Sequence, residues 1–162
     1  MGVFMVLNVK EFDVIIDDDD ALKVCNHKWT ASRRITNGYK LIYFYTWIYN
    51  DRKEKKIIYL HRFIMNTPKG FYTDHINGDT LDNRKENLRI CTNCDNAANR
   101  RISKNNTSGY KGVSKTGSNS WKAMITNRGR HIYLGTHKTP ELAYEAYCNA
   151  SKKYHGGFGR IK

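Results

Sequence analysis

No apolar run in this chain approaches the ~20 residues needed to cross a bilayer, and no segment pairs a strongly apolar helical face with a basic one. Membrane association is therefore not expected. The start, Met1-Gly2-Val3-Phe4-Met5-Val6-Leu7, lacks a basic stretch and a small-residue cleavage site, so it reads as a first strand and not a secretory leader. Cysteine is sparse, and Cys25, Cys91, Cys94 and Cys148 are scattered, unlike a disulfide framework. Cys91-Thr92-Asn93-Cys94 is a lone CxxC without a second ligand pair, so no structural zinc is expected. These absences imply a reducing, intracellular setting, the cytoplasm. Acid is scarce at one end only. Residues 97–162 hold 2 Asp/Glu against 13 Lys/Arg, whereas residues 1–96 hold 13 against 15.

What is present follows from that asymmetry. The net charge of +13 is concentrated in the C-terminal part, the footprint of a surface that binds a polyanion, here DNA or RNA. The 11 Tyr, 6 Phe and 3 Trp are enough for packed cores, which excludes a disordered basic tail.

Along the chain, residues 1–72 read as strand-rich. Phe12 to Ile16 has the short apolar character of a strand, and Asp17 to Asp20 reads as an acidic turn capping a short helix through Asn26. Trp29 to Arg34 and Tyr39 to Tyr45 read as strands joined at Thr36-Asn37-Gly38. A second reversal is expected around Asn50-Asp51-Arg52-Lys53, and Pro68 with Gly70 marks a turn. Then come a strand (Tyr72 to Asp74), a loop (His75 to Asn87), a short strand (Leu88 to Ile90) and a helix from Asn93 to about Ile102. Thr92 and Asp95 have the spacing of a capping box. Residues 103–109 are polar and basic and read as a linker. Beyond them lie three strand-like runs, Tyr110 to Lys115, Trp121 to Thr126 and His131 to Gly135. A helix follows from Pro140 to about Tyr154, with Thr139 as N-cap.

Chemistry concentrates in Asp74-His75-Ile76-Asn77-Gly78-Asp79 and the polar residues after it. Phosphodiester hydrolysis needs an activated water and a Lewis acid on the phosphate. His75 is the candidate general base, because imidazole titrates near neutral pH. Asp74 offers a hard oxygen suited to Mg²⁺ or Mn²⁺.

The joint spacing of Asp74-His75, Asn77-Gly78-Asp79, Asp82-Asn83-Arg84, Asn87 and Asn96 resembles the HNH nuclease motif, in the form found in HNH homing endonucleases. The resemblance implies a ββα-metal arrangement over 72–102 within a nuclease domain at 1–102. It makes Asn96 the second metal ligand, and Asn87 a catalytic-site residue that braces the loop and orients His75 by a hydrogen bond. His61, at the family position in Leu60-His61-Arg62, either orients the loop or touches a phosphate. Arg62 and Arg100 could each bind phosphate; Arg89 could do so or brace the fold.

Residues 108–160 resemble the DNA-binding domain of APETALA and ethylene-response factors. The match lies in Gly109-Tyr110-Lys111-Gly112-Val113-Ser114, Trp121-Lys122-Ala123-Met124-Ile125, Tyr133-Leu134-Gly135-Thr136 and Ala143-Tyr144-Glu145-Ala146-Tyr147. It implies a DNA-binding domain at 110–162 made of a three-stranded antiparallel sheet plus one helix. Alternation puts Trp121, Ala123 and Ile125 toward the helix. Lys122, Met124 and Thr126 take the other face, with Lys111, Lys115, Arg128, Arg130 and Tyr133 as further DNA contacts. Phosphate positioning suits these lysines better than base readout.

The expected whole is an α+β protein: a metal-dependent HNH homing endonuclease of phage or mobile-element type, acting on double-stranded DNA. One site per chain implies nicking by a monomer, whereas a homodimer could cut both strands. A DNA-binding protein without catalysis, or a nuclease of restriction or genome-packaging type, are the alternatives.

Overall fold

Strands dominate the first part of the chain because β-branched and aromatic residues alternate there with polar ones. In the computed structural model, which describes residues 3–49 and 52–161, the chain divides into two units, Met1–Thr92 and Asn93–Lys162. Both mix α and β, and the chain as a whole is strand-rich with few helices. The expected reversal at Asn50-Asp51 and the chain start at Met1-Gly2 lie outside the described residues. Among the described residues no helix is long and apolar enough to cross a membrane.

In the first unit, β1 (Phe4–Val9) pairs antiparallel with β2 (Phe12–Asp17). A short helix α1 (Ala21–Cys25) follows a 3-10 turn at Asp18–Asp20. No side chain of the acidic run caps that helix, which corrects the capping expectation. Asp17 Oδ2 instead accepts the Lys85 N–H at 2.7 Å, and Asp20 pairs with the Lys85 ammonium at 2.7 Å. The acidic turn thus ties down a loop far along the chain.

Next, β3 (Thr30–Thr36), β4 (Tyr39–Tyr49) and β5 (Lys55–Tyr59) form an antiparallel meander. Asn37 and Gly38 both have positive φ, 52° and 81°, as a tight two-residue hairpin turn requires. One face of β4 buries Phe44 and Thr46. Phe44 joins Val14, Ile16, Val24, Trp29, Leu60 and Leu88 in the unit's core; burying such a ring stabilises the fold by about 2–3 kcal/mol. Helix α2 (Leu60–Ile64) leads to β6 (Tyr72–His75), which pairs with β7 (Leu88–Cys91).

The second unit opens with α3 (Asn93–Ala98), so the division falls ahead of the 103–109 segment. This helix is shorter than the expected run to Ile102. Its end is set by donors from elsewhere in the unit. Ala98 O accepts from Lys111 Nζ (2.6 Å) and the Arg160 N–H (3.3 Å), Asn99 O from Arg160 Nε (2.9 Å), and Arg100 O from Lys111 Nζ (2.8 Å). Carbonyls taken by these donors have no need of a further helical turn.

Residues 103–109 form a hydrogen-bonded loop: Asn106 Oδ1 accepts the Gly109 N–H at 2.7 Å and Ser108 Oγ donates to Val113 O at 2.8 Å. Strands β8 (Val113–Gly117), β9 (Ser120–Asn127) and β10 (Arg130–His137) make a meander. The first expected strand starts later than Tyr110 because Gly112 turns the chain at φ +73°. A Cβ there would sit 2.2 Å from the Tyr147 ring.

Helix α4 (Pro140–His155) begins where expected, with Thr139 Oγ1 accepting the Leu142 N–H at 3.3 Å. Ala123 packs with Ala143, and Ile125 with Tyr147 and Ala150, the sheet–helix interface that strand alternation foretold.

Candidate active site

The site-bearing loop hangs between β6 and β7 and is fixed at several points. Ile15 N–H donates to Leu81 O (2.8 Å) and Asn83 N–H to Ile15 O (2.7 Å), so β2 holds the loop's far side. Inside it, Asp79 N–H donates to Asn77 Oδ1 (2.7 Å) and Gly78 N–H to His75 O (2.9 Å), with Gly78 at φ 74°. Arg84 forks onto Asp82, Nε to Oδ1 and Nη2 to Oδ2, both at 2.8 Å. The bidentate fork holds the Asp82 carboxyl below its ordinary range.

Asn87 is the loop's inner brace. Its Oδ1 accepts the Asn77 N–H (3.0 Å), its Nδ2 donates to Asp82 O (2.8 Å), and its carbonyl accepts the Ile76 N–H (2.8 Å). The hydrogen bond to His75 comes from a different residue. Asn83, 1% exposed, sends Nδ2 to Thr80 O (3.1 Å), which turns its Oδ1 toward His75 Nε2 at 3.3 Å. The expectation that Asn87 orients the imidazole is corrected. Asn83 was legible only as part of the Asp82-Asn83-Arg84 segment, with nothing in its type to separate it from Asn87.

His75 ends β6 and is buried. Its ring lies 5.2 Å from that of His61 and 6.4 Å from that of Tyr43. His61, on α2, stacks on Tyr59 at 5.9 Å. Burial lowers the pKa of both imidazoles, His61 well below its ordinary value, and the neighbouring His75 adds to the effect there. Burial raises that of Tyr43. Tyr43 and Tyr59 carried no signal in the sequence beyond their strand-forming type.

Asp74 is buried beside His75, and its cross-strand partner in the β6–β7 register is Arg89. Arg89 Nε and Nη2 both donate to Asp74 Oδ2, at 3.0 and 2.8 Å, so Arg89 braces the carboxylate. Arg62 is likewise committed to structure. Its guanidinium donates to Phe71 O (2.6 Å), Pro68 O (3.3 Å) and Thr67 O (3.4 Å), closing the turn before β6. These hydrogen bonds give Arg62 a structural role beside the phosphate contact expected of it.

In the second unit, Asn96 lies on α3, half-buried, and Arg100 is exposed just past the helix end. Lys111 is the other correction. Its ammonium caps Ala98, Arg100 and Arg160 carbonyls (2.6, 2.8 and 3.4 Å), and burial, with Arg160 adding, pulls it down to about 8. The rest of the expected DNA face is available. Lys115, Thr126, Arg128, Arg130 and Tyr133 are exposed, Lys122 and Met124 half-buried, and Thr126 and Met124 pair across β9–β10 with His131 and Tyr133.

Among the described residues no three His, Cys, Asp or Glu side chains gather as a metal cluster. A buried carboxylate beside an imidazole, with oxygen-rich Asn and Asp side chains around it, fits a hard divalent cation that keeps most of its shell as water and phosphate oxygen.

The HNH endonuclease family matches residues 66–98, the stretch that spans β6, the loop, β7 and α3. Protein 3.8 of Escherichia phage T7 is 32% identical over 96 residues, 59% of this chain and 78% of that protein. An uncharacterized HNH endonuclease of Acanthamoeba polyphaga mimivirus is 32% identical over 105 residues, 61% of this chain. The chain spans about half of that relative's length, 54%. No solved structure matches. The chain therefore carries an HNH endonuclease domain and belongs to the same family as protein 3.8 of phage T7.

Proposed function

We propose that the protein is a metal-dependent DNA endonuclease of the HNH homing type, with His75 as general base. The observation that carries this reading is the His75–Asn83 contact beside Asp74. Asn83 Oδ1 can only accept, so the imidazole proton sits on Nε2 and the basic lone pair on Nδ1. A base of fixed tautomer removes a proton from water as that water attacks the scissile phosphorus.

HNH nucleases generally use a divalent metal. In our reading β6, β7 and α3 make the ββα-metal motif, and Asp74 and Asn96 hold one Mg²⁺ or Mn²⁺. When bound, the cation supplies charge against the phosphate and the leaving oxygen. Arg89 keeps the Asp74 carboxylate aimed, through its two hydrogen bonds to Oδ2. Asn87 holds the loop so that His75 and Asp74 keep their spacing.

The residues beyond 102 act as a DNA-binding module of the APETALA type. Lys115, Lys122, Arg128, Arg130 and Tyr133 lie along the duplex, and Arg100 adds a phosphate contact. The 13 Lys/Arg against 2 Asp/Glu beyond residue 96 support that division of labour.

The test is nicking of supercoiled plasmid by the purified chain with Mg²⁺ or Mn²⁺ and in chelator. His75→Ala should lose roughly 10²–10⁴ in rate while its DNA affinity stays within about twofold. Near-normal cutting by that variant, or full activity in chelator, would end this reading.

A further inference from the structure

The outer face of the β3–β4–β5 sheet carries aromatic rings that the mechanism above does not use. Alternation along β4 buries Phe44 and Thr46 on one face and puts Tyr43, Tyr45, Trp47 and Tyr49 on the other. The rings form an unbroken path into the site. Trp47 lies 6.4 Å from Tyr45, Tyr45 6.3 Å from Tyr59, and Tyr59 6.2 Å from Tyr43. Tyr43 is 5.6 Å from His61, and His61 is 5.2 Å from His75.

The outer end is open: Trp47 is 46% exposed and Tyr49 70%. Cations sit on this row. Lys55 Nζ lies 4.5 Å over the Trp47 ring, and the Arg34 guanidinium lies 5.3 Å over Tyr59 and donates to its hydroxyl.

A run of rings, exposed at Trp47 and Tyr49 and half-buried at Tyr45, Tyr59 and Tyr43, and bordered by Lys and Arg, fits a chain of flat bases joined by phosphates. The spacing selects which kind. Successive rings are 6.2–6.4 Å apart, nearly twice the about 3.4 Å per nucleotide of a duplex strand. Bases resting on successive rings must therefore be unstacked and extended. Paired bases are also turned inward and have no face to offer.

We propose that this face binds single-stranded DNA, so that an unpaired stretch of substrate lies along Trp47, Tyr45 and Tyr59 with its end at His75. Arg34 and Lys55 take its phosphates. The proposal rests on the nuclease reading for the purpose of the strand, but not for its binding.

The binding test is made in chelator, where no cutting intervenes, with the full chain and a fluorescent oligothymidylate, which forms no duplex. A hairpin duplex of equal length is the comparison. Trp47→Ala should weaken oligothymidylate binding about tenfold, the scale of one base–ring stack, and leave the hairpin's affinity unchanged. Trp47→Phe, which keeps a ring, should bind within about threefold of the parent.

With Mg²⁺, Trp47→Ala should raise KM about tenfold for a duplex carrying an unpaired bubble, at unchanged kcat. Equal losses on both probes, no loss from a variant with an unaltered melting curve, or a dimer that Trp47→Ala dissociates would each overturn the proposal. Oligothymidylate binding that depends on Trp47 in a chain that never cuts would uphold it and refute the nuclease reading instead.

Discussion

The imidazole of His75, at the end of β6, and the amide of Asn83, within the loop that follows, meet at 3.3 Å with both side chains buried, and Asn87 braces that loop from within. Bracing and orienting are thus split between two asparagines.

Asn83→Ala should lower kcat for plasmid nicking about 10- to 100-fold, the usual effect of losing a residue that orients a site ligand or base, with KM little changed. Asn87→Ala breaks the two hydrogen bonds inside the loop. It should instead lower the melting temperature as well as kcat, because a buried amide holding two main-chain groups contributes about 1–3 kcal/mol. A melting curve beside a kinetic assay separates the two. If Asn83→Ala unfolds the chain and Asn87→Ala does not, the roles are reversed.

Asp74→Ala and Asn96→Ala should weaken the response to metal in parallel, each raising the Mg²⁺ concentration needed for half-maximal nicking by about tenfold or more. Arg89→Met should disturb the same curve less. A variant at Asn96 that titrates like the parent would remove that residue from the ion's shell.

Much of this was legible in the residues. The strand–loop–strand–helix order follows from Tyr72 to Asn93, the hairpin from Asn37-Gly38, and the last helix from Thr139-Pro140. Long-range partnerships were not legible. Asp17 and Asp20 look like a helix cap but meet Lys85, 68 and 65 positions along. Arg62 and Lys111 look like phosphate contacts, yet both Arg62 Nη groups and the Lys111 ammonium donate to main-chain carbonyls. A side chain's type says it can donate; only the fold says to what. The ring path from Trp47 to His75 is of the same kind, because it crosses β4, β5 and α2.

Acid should destabilise the chain from just below neutrality. His61 is buried and its pKa lies well below its ordinary 6.5, and His75 is also lowered. Below about pH 6.5 the unfolded chain takes up protons that the folded one refuses, so stability falls as pH falls. Each group contributes up to about 1.4 kcal/mol per pH unit in that window, or about 2–4 °C of melting temperature per kcal/mol for a chain of this size. His61→Gln, which does not titrate, should flatten the melting temperature against pH between 6.5 and 5. An unchanged slope would mean the burial of His61 is not what the acid attacks.

Salt dependence distinguishes structural from DNA-facing cations in the second unit. Lys122, Arg128 and Arg130 lie on or beside the open sheet face, whereas Lys111 is spent on three carbonyls. Each neutralised phosphate contributes about −0.9 to the slope of log affinity against log salt on duplex DNA. Replacing Lys122, Arg128 and Arg130 by Ala together should therefore make the slope shallower by about 2–3, with the melting temperature almost unmoved. Lys111→Met should do the reverse, leaving the slope within about 0.5 while costing about 1–3 kcal/mol, because the Arg100 and Arg160 carbonyls lose the Lys111 donor and Ala98 O keeps only the Arg160 N–H. If Lys111→Met flattens the slope as much as Lys122→Ala does, its ammonium leaves the carbonyls for phosphate when DNA binds. The end of α3, and Asn96 with it, would then shift on binding.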